Sequence, residues 1–519
     1  MEIKIIMHSE LDCHLKPDIA LIKAGLNKLN EEQKLTNPIA VNHLIDIINK
    51  VNQLIDVEAN LAQRLKDLKD APESDKIAVK QDKENIGNQI DNELSWGVLS
   101  LMEAGGKDAY HYDYDDHFNM VVAGLMGSTC YMKEDFKAMQ DKRIKNIMAI
   151  ANTVLNNGHH STFGHSHITL EISGIPKALA MVLNNEQELC TSEKSARYTI
   201  MDQIPTDELL LYNKWKEIFV REIAKKYGNN QPFFDAKGVK VGKLAQENAR
   251  YMISVFTPTN MVYTTSFRQL NYLVHWLENE ISNPESNDFY TGIKNEMRKL
   301  INFTKDEGLY LEKLEDHKGR KLSLFGTGII KEHISSEDYV ISYDASVAEL
   351  AQGQRHRTED YRINEHKFRF VKPQYFLPPL LISLNHPVLI AEWLKDMESV
   401  AEKIPQGRLV NVIENGSAKN FILKAMEREC SEAQWEIMNI TRNYSQKFAK
   451  ALANEIEEGK AYADTLTGEE REDVLNTLAE IKTKKATFDK LSVGARCTAG
   501  YKCARPCGFK EGIDLSRDI

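Results

Sequence analysis

The first hundred residues carry apolar side chains at the spacing of a buried helix face. Leucine, isoleucine and valine recur every three or four positions in two runs, 44–68 and 86–101. A mostly polar stretch, 69–83, separates the two runs and is expected to break the helix. The pattern predicts a helical N-terminal extension, residues 1–106, that packs as a hairpin on the rest of the chain or on a partner chain.

Short alternating stretches appear further along the chain. Apolar and polar residues alternate over 168–172, as in a strand with one buried face, and a second strand-like run covers 339–343. A short turn, a helix and a loop follow each run, so one order of elements occurs twice. We predict an α+β, helix-rich fold with two tandem repeats, 107–305 and 306–465, and a helical tail that contains cysteines, 466–519.

A short motif occurs in both predicted repeats. The spacing Glu-x-x-x-Arg-aromatic is found at residues 193–198 and again, 172 positions later, at 365–370. Each copy follows a predicted strand and a predicted helix, and this shared setting strengthens the case for an internal repeat.

Composition narrows the class of protein. The chain has 519 residues, 27% of them charged, and a net charge of −10. These values are typical of globular proteins and oppose general binding to nucleic acid or anionic membranes. Charged residues interrupt every apolar run before it reaches the roughly 18 residues of a membrane span. The first ten residues lack the apolar centre of a secretion signal and the seven cysteines are sparse, so we expect a cytoplasmic protein.

Two clusters carry candidate chemistry. In the segment 352–357 two arginines flank a histidine, and their guanidinium groups can bind a phosphate or the carbonyls of a flat heterocycle such as a flavin. A solvated basic loop is the alternative for this segment. The segment 159–167 holds four histidines without a cysteine or an acid at metal-ligand spacing, which favours packing or cofactor contact over a metal site.

Several elements together resemble the flavin-dependent thymidylate synthases. They are the Arg355-His356-Arg357 triplet, the Ser195-x-Arg197-Tyr198 motif, the turn at 158–161 with Phe163 and His165, and the segment 433–437. The resemblance covers about residues 110 to 460, in two diverged copies. It implies an enzyme that uses FAD, NADPH and methylenetetrahydrofolate to methylate dUMP to dTMP. Family members are commonly about half this length and form homotetramers whose active sites are shared between subunits.

The two copies resemble complementary parts of the family's nucleotide site. The first has Asn-Asn-Glu-Gln at 184–187 where the family has its Arg-His-Arg signature, and the second has Lys367 where the family has the motif serine. The resemblance therefore implies one composite site. Its substrate-binding residues are Glu193, Ser195, Arg197 and Arg250 of the first copy and Gln352, Arg355 and Arg428 of the second. The reciprocal pairing, of 184–187 with Lys367, lacks most phosphate ligands and is predicted to be inactive.

Catalytic roles are predicted for Arg355, Arg428 and Ser195. Methylation at carbon 5 of uracil requires electron density there, and a guanidinium group at a ring carbonyl would stabilise the enolate-like charge. Gly164 departs from the family, which usually has glutamate at this position. By resemblance, the cofactor-binding residues are His159, Ser161, Arg268, Asn271, His356 and Arg357.

The C-terminal tail contains Cys497, Cys503 and Cys507 within eleven residues. Three thiolates so close together predict a zinc or iron-sulfur site, with redox-active thiols and reduced bystanders as the alternatives.

The preferred function is FAD-dependent methylation of dUMP by a homodimer that imitates the family tetramer. The sequence leaves open whether the two repeats meet within one chain or between chains. Two other functions stay open: another one-carbon modification of a pyrimidine nucleotide, and a catalytically silent protein that binds nucleotide or flavin. We expect neither nucleic acid nor a membrane as a partner.

Overall fold

A computed structural model gives the fold of the protein. It describes residues 1–9, 19–105, 111–129, 144–186, 189–196, 199, 201, 203–227, 241–314, 323–327, 330–430, 433–494, 497 and 500.

Helices dominate the described residues, and two small sheets lie among them. In chain order the helices are α1 Ile19–Glu31, α2 Pro38–Asp67, α3 Glu73–Gly105, α4 His111–Thr129, α5 Ile144–Asn156, α6 Lys177–Asn184, α7 Thr206–Tyr227, α8 Val241–Ala249, α9 Phe267–Ser282, α10 Asp288–Thr291, α11 Lys294–Asp306, α12 Val347–Gly353, α13 Glu365–Phe370, α14 Pro379–Ser383, α15 Pro387–Ser399, α16 Ala418–Arg428, α17 Trp435–Ala463 and α18 Gly468–Val493. The strands are β1 Glu2–His8, β2 His167–Pro176, β3 Leu189–Glu193, β4 Pro258–Ser266, β5 Phe325–Gly326, β6 His333–Ile334, β7 Asp338–Ser346, β8 Asp360–Asn364 and β9 Leu409–Ser417.

The two sheets share one arrangement of three strands. The first sheet has the order β1-β2-β4-β3, and its neighbours are antiparallel. The second has the order β5-β8-β9-β7-β6, and only its β5–β8 pair is parallel. Strands β2, β4 and β3 of the first sheet therefore correspond to β7, β9 and β8 of the second in order, direction and place along the chain.

Three of these strands end at a serine that begins the next helix. Ser266, Ser346 and Ser417 cap α9, α12 and α16, and each hydroxyl accepts a hydrogen bond from the backbone N–H three residues further on, at 3.0–3.2 Å. Serine is a favoured N-cap because its short side chain satisfies one of the unpaired N–H groups of the first turn. The result is a direct strand-to-helix turn at matching places in both sheets.

The two sheets meet at a short backbone junction with approximate two-fold symmetry. The N–H of Val255 donates to the carbonyl of Ile404 at 3.0 Å, and the N–H of Gln406 donates to the carbonyl of Ile253 at 2.8 Å. Exchanging the two halves exchanges these two bonds. The helices after β2 and β7 also begin alike, because the first two N–H groups of each helix donate to backbone carbonyls beside this junction. Lys177 and Ala178 donate to Thr257 and Val255, and Val347 and Ala348 donate to Arg408 and Gln406.

The largest hydrophobic core extends through both predicted repeats. It contains Ile168 and Leu170 of β2 and Ile363 of β8, all fully buried, together with the apolar residues of α6. Every residue of α6 from Ala178 to Asn184 is buried. The two halves therefore pack as one unit.

The N-terminal region differs from the predicted helical extension at its start. Glu2–His8 forms the edge strand β1, which pairs with β2 and places Ile5 opposite Leu170. Seven residues are too few to show a helical period, and the open edge of β2 supplies hydrogen-bond partners that a short isolated helix would lack. The first repeat therefore includes residues from the extreme N-terminus in its sheet.

Helices α2 and α3 pack against each other through buried aliphatic residues, among them Leu44, Val51, Ile90 and Leu94. The helix breaks where the polar stretch begins, since α2 ends at Asp67, but the break is shorter than the predicted 69–83 because α3 already begins at Glu73. Its polar residues there mostly face solvent, where they cost the helix little. No helix in the described part of the chain combines the length and apolar character needed to cross a membrane.

Candidate functional site

A cavity of about 430 Å³ lies where the two halves of the chain meet. The first half contributes the end of β3 and the residues after it, and the second contributes the end of α12. Six predicted substrate-binding residues line this single cavity: Glu193, Ser195, Arg250, Gln352, Arg355 and Arg428. The seventh, Arg197, lies outside the described residues. Within this chain, residues of both predicted repeats therefore line the same cavity.

The arginines of the cavity stand at the ends of short elements. Arg428 is the last residue of α16, and Arg355 follows α12 by two residues. Arg250 begins a single 3-10 turn, Arg250–Met252, directly after α8. Cations are favourable beside the partial negative charge of a helix C-terminus, which suits the positions of Arg355 and Arg428.

Glu193 joins the two halves across one wall of the cavity. Its side chain is only 1% exposed, and Oε1 accepts from Lys177 Nζ at 2.7 Å. Oε2 accepts from Arg355 Nη2 and from Asn184 Nδ2, both at 3.2 Å. A buried carboxylate needs several donors to offset the loss of water, and Glu193 receives them from both halves.

Arg250 is buried and held by the segment that follows α16. Its Nη2 donates to Gln434 Oε1 at 2.5 Å, and Gln434 Nε2 donates to the hydroxyl of Tyr251. Tyr251 in turn donates to Glu436 Oε2 at 3.1 Å. Burial raises the pKa of Glu436, while hydrogen bonds from the backbone and side chain of Ser346 act in the opposite direction. The segment 433–437, noted for its resemblance, thus fixes an arginine of the opposite half.

Arg428 is held by the histidine of the Arg-His-Arg triplet. Its Nε donates to His356 Nε2 at 2.6 Å. Burial, with further contributions from the charges of Arg428 and Lys424, lowers the pKa of His356 from 6.5 to about 2. The imidazole is therefore neutral, and Nε2 carries the lone pair that accepts the bond.

Five polar residues of the cavity were not predicted from the sequence: Lys177, Thr191, Ser192, Lys194 and Gln406. With them, the lining holds five cationic side chains and one carboxylate, that of Glu193. Such a surface suits a multiply charged anion, since several guanidinium and ammonium groups can share a phosphate. The one signal for Lys177 was its place directly after the Gly-Ile-Pro break that ends β2.

A model of a known protein family matches the first half of the chain. Residues 113–301 match the family model of Thy1, the thymidylate synthase complementing protein. The match covers 189 of the 519 residues and lies within the first predicted repeat. No curated protein is significantly similar to the chain.

Several solved structures resemble parts of the chain at low identity. ThyX from Helicobacter pylori, complexed with FAD and dUMP, is 15% identical with a TM-score of 0.24; 36% of this chain and 89% of that chain are covered. A second structure of that protein is 18% identical with a TM-score of 0.25 and covers 38% and 95% of the two chains. The UMP/dUMP methylase PolB from Streptomyces cacaoi, bound with 5-Br dUMP, is 16% identical with a TM-score of 0.22 and covers 36% and 86%.

None of the six predicted cofactor-binding residues, all of which are described, lines this cavity. Arg357 lies close behind it: its Nη2 donates to Thr191 Oγ1 at 2.5 Å, whereas its buried Nη1 has no partner among the described residues. Arg268 is half-buried beside Gly164, and a Cβ added to that glycine would lie 3.7 Å from the guanidinium carbon. His159 and Ser161 are exposed.

Two of the predicted cofactor contacts have other partners. His356 is bound to Arg428, as described above. The fully buried Asn271 donates from Nδ2 to the carbonyls of Phe267 and Leu309, each at 3.0 Å, and its Oδ1 accepts from the N–H of Leu311 at 2.7 Å. These bonds give Asn271 a structural role, because both hydrogens of its amide are used and the side chain is fully buried.

Among the described residues, which do not include Gln187, no cavity brings the segment 184–187 together with Lys367. Lys367 and Arg369 line a separate cavity of about 930 Å³, and none of residues 184–186 contributes to that lining. Asn184 instead accepts from Thr191 Oγ1 and donates to Glu193 in the first site.

The predicted metal site in the tail falls mostly on residues that are not described. Cys497 is exposed and free, while Cys503 and Cys507 lie outside the described residues. Elsewhere in the described chain, no group of three histidine, cysteine or acidic residues is placed to bind a metal ion. The tail site stays a prediction.

Proposed function

We propose that the protein transfers a methyl group to dUMP, giving dTMP, with methylenetetrahydrofolate as carbon donor, NADPH as reductant and FAD as cofactor. The observation that carries the proposal is the convergence of Arg250, Arg355 and Arg428 on one cavity with Ser195. The match of residues 113–301 to the Thy1 family model supports this reaction class.

The cavity can bind the nucleotide through its phosphate. A nucleotide phosphate is a dianion at neutral pH and is bound well by several converging guanidinium groups. Gln352 and Ser195 add uncharged hydrogen-bonding groups that can read the sugar or the base. The two halves would therefore bind one dUMP between them.

Arg428 and Arg355 would also assist the chemistry. Carbon 5 of the uracil ring gains a bond to the incoming carbon and loses its proton, and negative charge develops on the ring oxygens as this occurs. A guanidinium group held at a ring carbonyl stabilises that charge more in the transition state than in the ground state. Ser195 is the proposed partner that keeps the ring in register.

Arg357 and Arg268 fit an anionic cofactor. The buried Nη1 of Arg357, which has no partner among the described residues, offers a donor, and Gly164 places no side chain beside the guanidinium group of Arg268. With the exposed His159 and Ser161, these residues would hold FAD. When bound, FAD would supply the reducing electrons, taken from NADPH, that convert the transferred methylene carbon into the methyl group on carbon 5. His356 and Asn271 would act only inside the protein.

We also propose that the chain arose by internal duplication, with repeats at about 107–305 and 306–465. The shared strand order, the serine caps and the two-fold backbone junction support this origin. Each repeat would keep the part of the site that the other has lost, and a homodimer would then resemble the homotetramer of the shorter relatives.

Purified full-length protein tests the proposal directly. We expect a yellow protein with a flavin absorbance spectrum that releases tritium from carbon-5-labelled dUMP when the folate and NADPH are present. Arg369→Ala is the matched control, since Arg369 lies in the other cavity. A colourless protein that still binds dUMP would indicate a silent binding protein, and a product other than dTMP would indicate another one-carbon transfer.

A further inference from the structure

Lys177 is a charged cavity residue without an assigned role. It is the first residue of α6, and its side chain is 15% exposed. The 2.7 Å ion pair with Glu193 anchors its ammonium group at the cavity wall. Burial lowers the pKa of Lys177, and the charge and hydrogen bond of Glu193 act in the opposite direction.

Glu193 poses an electrostatic difficulty for an anion-binding cavity. A buried carboxylate repels a phosphate placed nearby, and the repulsion is strong where water is scarce. Arg355 alone could neutralise Glu193, because its Nη2 already contacts Oε2 at 3.2 Å. An arginine committed to an internal carboxylate, however, has fewer donors to offer a ligand.

We propose that Lys177 is a positioning residue that neutralises Glu193 and so leaves Arg355 free to bind the phosphate of the nucleotide. The inference rests on the proposed function for the nature of the ligand. Lys177 bonds to Oε1 and Arg355 to Oε2, so the lysine holds the carboxylate when Arg355 turns toward the ligand.

The second half of the chain lacks this arrangement. Val347 occupies the place of Lys177, since both residues donate their N–H groups to matching backbone carbonyls, those of Arg408 and Thr257. Glu365, which has the motif position of Glu193, lies 3.7 Å from Arg369 of its own short helix. The lysine therefore distinguishes the half that keeps Ser195 from the half that has lost it.

The test measures binding of dUMP, deoxyuridine and inorganic phosphate to the full-length protein by calorimetry. Lys177→Met should weaken dUMP and phosphate binding about tenfold, since the uncompensated Glu193 then repels the anion and retains Arg355. Lys177→Arg should stay within about threefold of the parent because it keeps the charge. Deoxyuridine, which has no phosphate, should bind the parent and Lys177→Met alike.

The double variant Lys177→Met/Glu193→Gln decides between a direct and an indirect role. If Lys177 acts through Glu193, removing both charges restores most of the lost phosphate affinity, and the pair is also less prone to misfold than a lone buried carboxylate. A double variant as weak as Lys177→Met, or a Lys177→Arg variant equally weak, would overturn the inference. Failure of the parent to bind dUMP while it still binds inorganic phosphate would instead refute the proposed substrate.

Discussion

Arg428 donates its Nε–H to Nε2 of His356 across 2.6 Å, and the imidazole must be neutral to accept it. The low pKa of His356, about 2, has burial as its largest cause, so protonation does not compete with the bond near neutral pH. The central histidine of the Arg-His-Arg triplet thus orients an arginine of the cavity. Its proton resides on Nδ1, the other ring nitrogen.

Replacing His356 should test this orientation. His356→Phe should weaken dUMP binding about tenfold, since a hydrogen bond to a charged group contributes roughly 1.5–3 kcal/mol. His356→Gln can keep an acceptor and should lose less. Nitrogen NMR of labelled parent protein should show His356 Nε2 without a proton between about pH 5 and pH 9. A titration of this ring near its ordinary pKa of 6.5 would contradict the assignment.

The composite cavity predicts unequal effects for Arg197 and Arg369, although the two arginines share a motif position. Arg355→Ala and Arg197→Ala should each weaken dUMP binding by about tenfold or more, although they belong to different repeats. Arg369→Ala should leave binding nearly unchanged because Arg369 lines the other cavity. Equilibrium binding to the three variants decides the matter, and equal losses in all three would exclude an asymmetric site.

A single cavity predicts one nucleotide per chain. Since one chain supplies all the described lining residues, dUMP affinity should not change when the protein is diluted through the dissociation of any dimer. Calorimetry gives the stoichiometry, and binding measured across a range of protein concentrations tests the second point. Two nucleotides per chain, or affinity that falls on dilution, would show that a second site or a partner chain is required.

The burial of Glu349 predicts that the stability of the protein depends on pH. Both its carboxylate oxygens are buried without a hydrogen-bond partner among the described residues, and burial, the largest cause, raises its pKa from 4.5 to about 8. Because the pKa is raised in the folded state, Glu349 makes its full contribution to the free energy of unfolding below about pH 4.5. That contribution to stability is lost as the pH rises toward 8. Glu349→Gln removes this titration and should raise stability at pH 8.5, by on the order of a few kcal/mol, with little effect at pH 5.

Thermal melts at the two pH values measure the effect of Glu349→Gln. The exposed Glu472→Gln is the matched control and should leave both melting temperatures unchanged. Equal stabilisation at pH 5 and pH 8.5 would show that the gain does not come from the ionisation of Glu349.

Local patterns in the sequence were sufficient for one strand of each sheet. The alternation over 168–172 predicts β2, and the run 339–343 predicts β7, because burial on one face of a strand imposes a period of two. The strand β1 was not predicted, since its seven residues form a strand only because the edge of β2 lies beside them. The secondary structure of such a segment depends on partners that are distant in sequence.

The candidate site, too, could be predicted only in part from the sequence. The residue types of a phosphate-binding site, an Arg-His-Arg triplet and a Ser-x-Arg motif, could be read from the chain, because an anion needs guanidinium groups whatever the fold. Only the tertiary structure decided that Lys177 pairs with Glu193, that Asn271 is bound by backbone groups, and that both halves of one cavity come from a single chain. The sequence determines which side chains exist and which local segments they favour, but packing and backbone pairing between distant segments determine which of them meet.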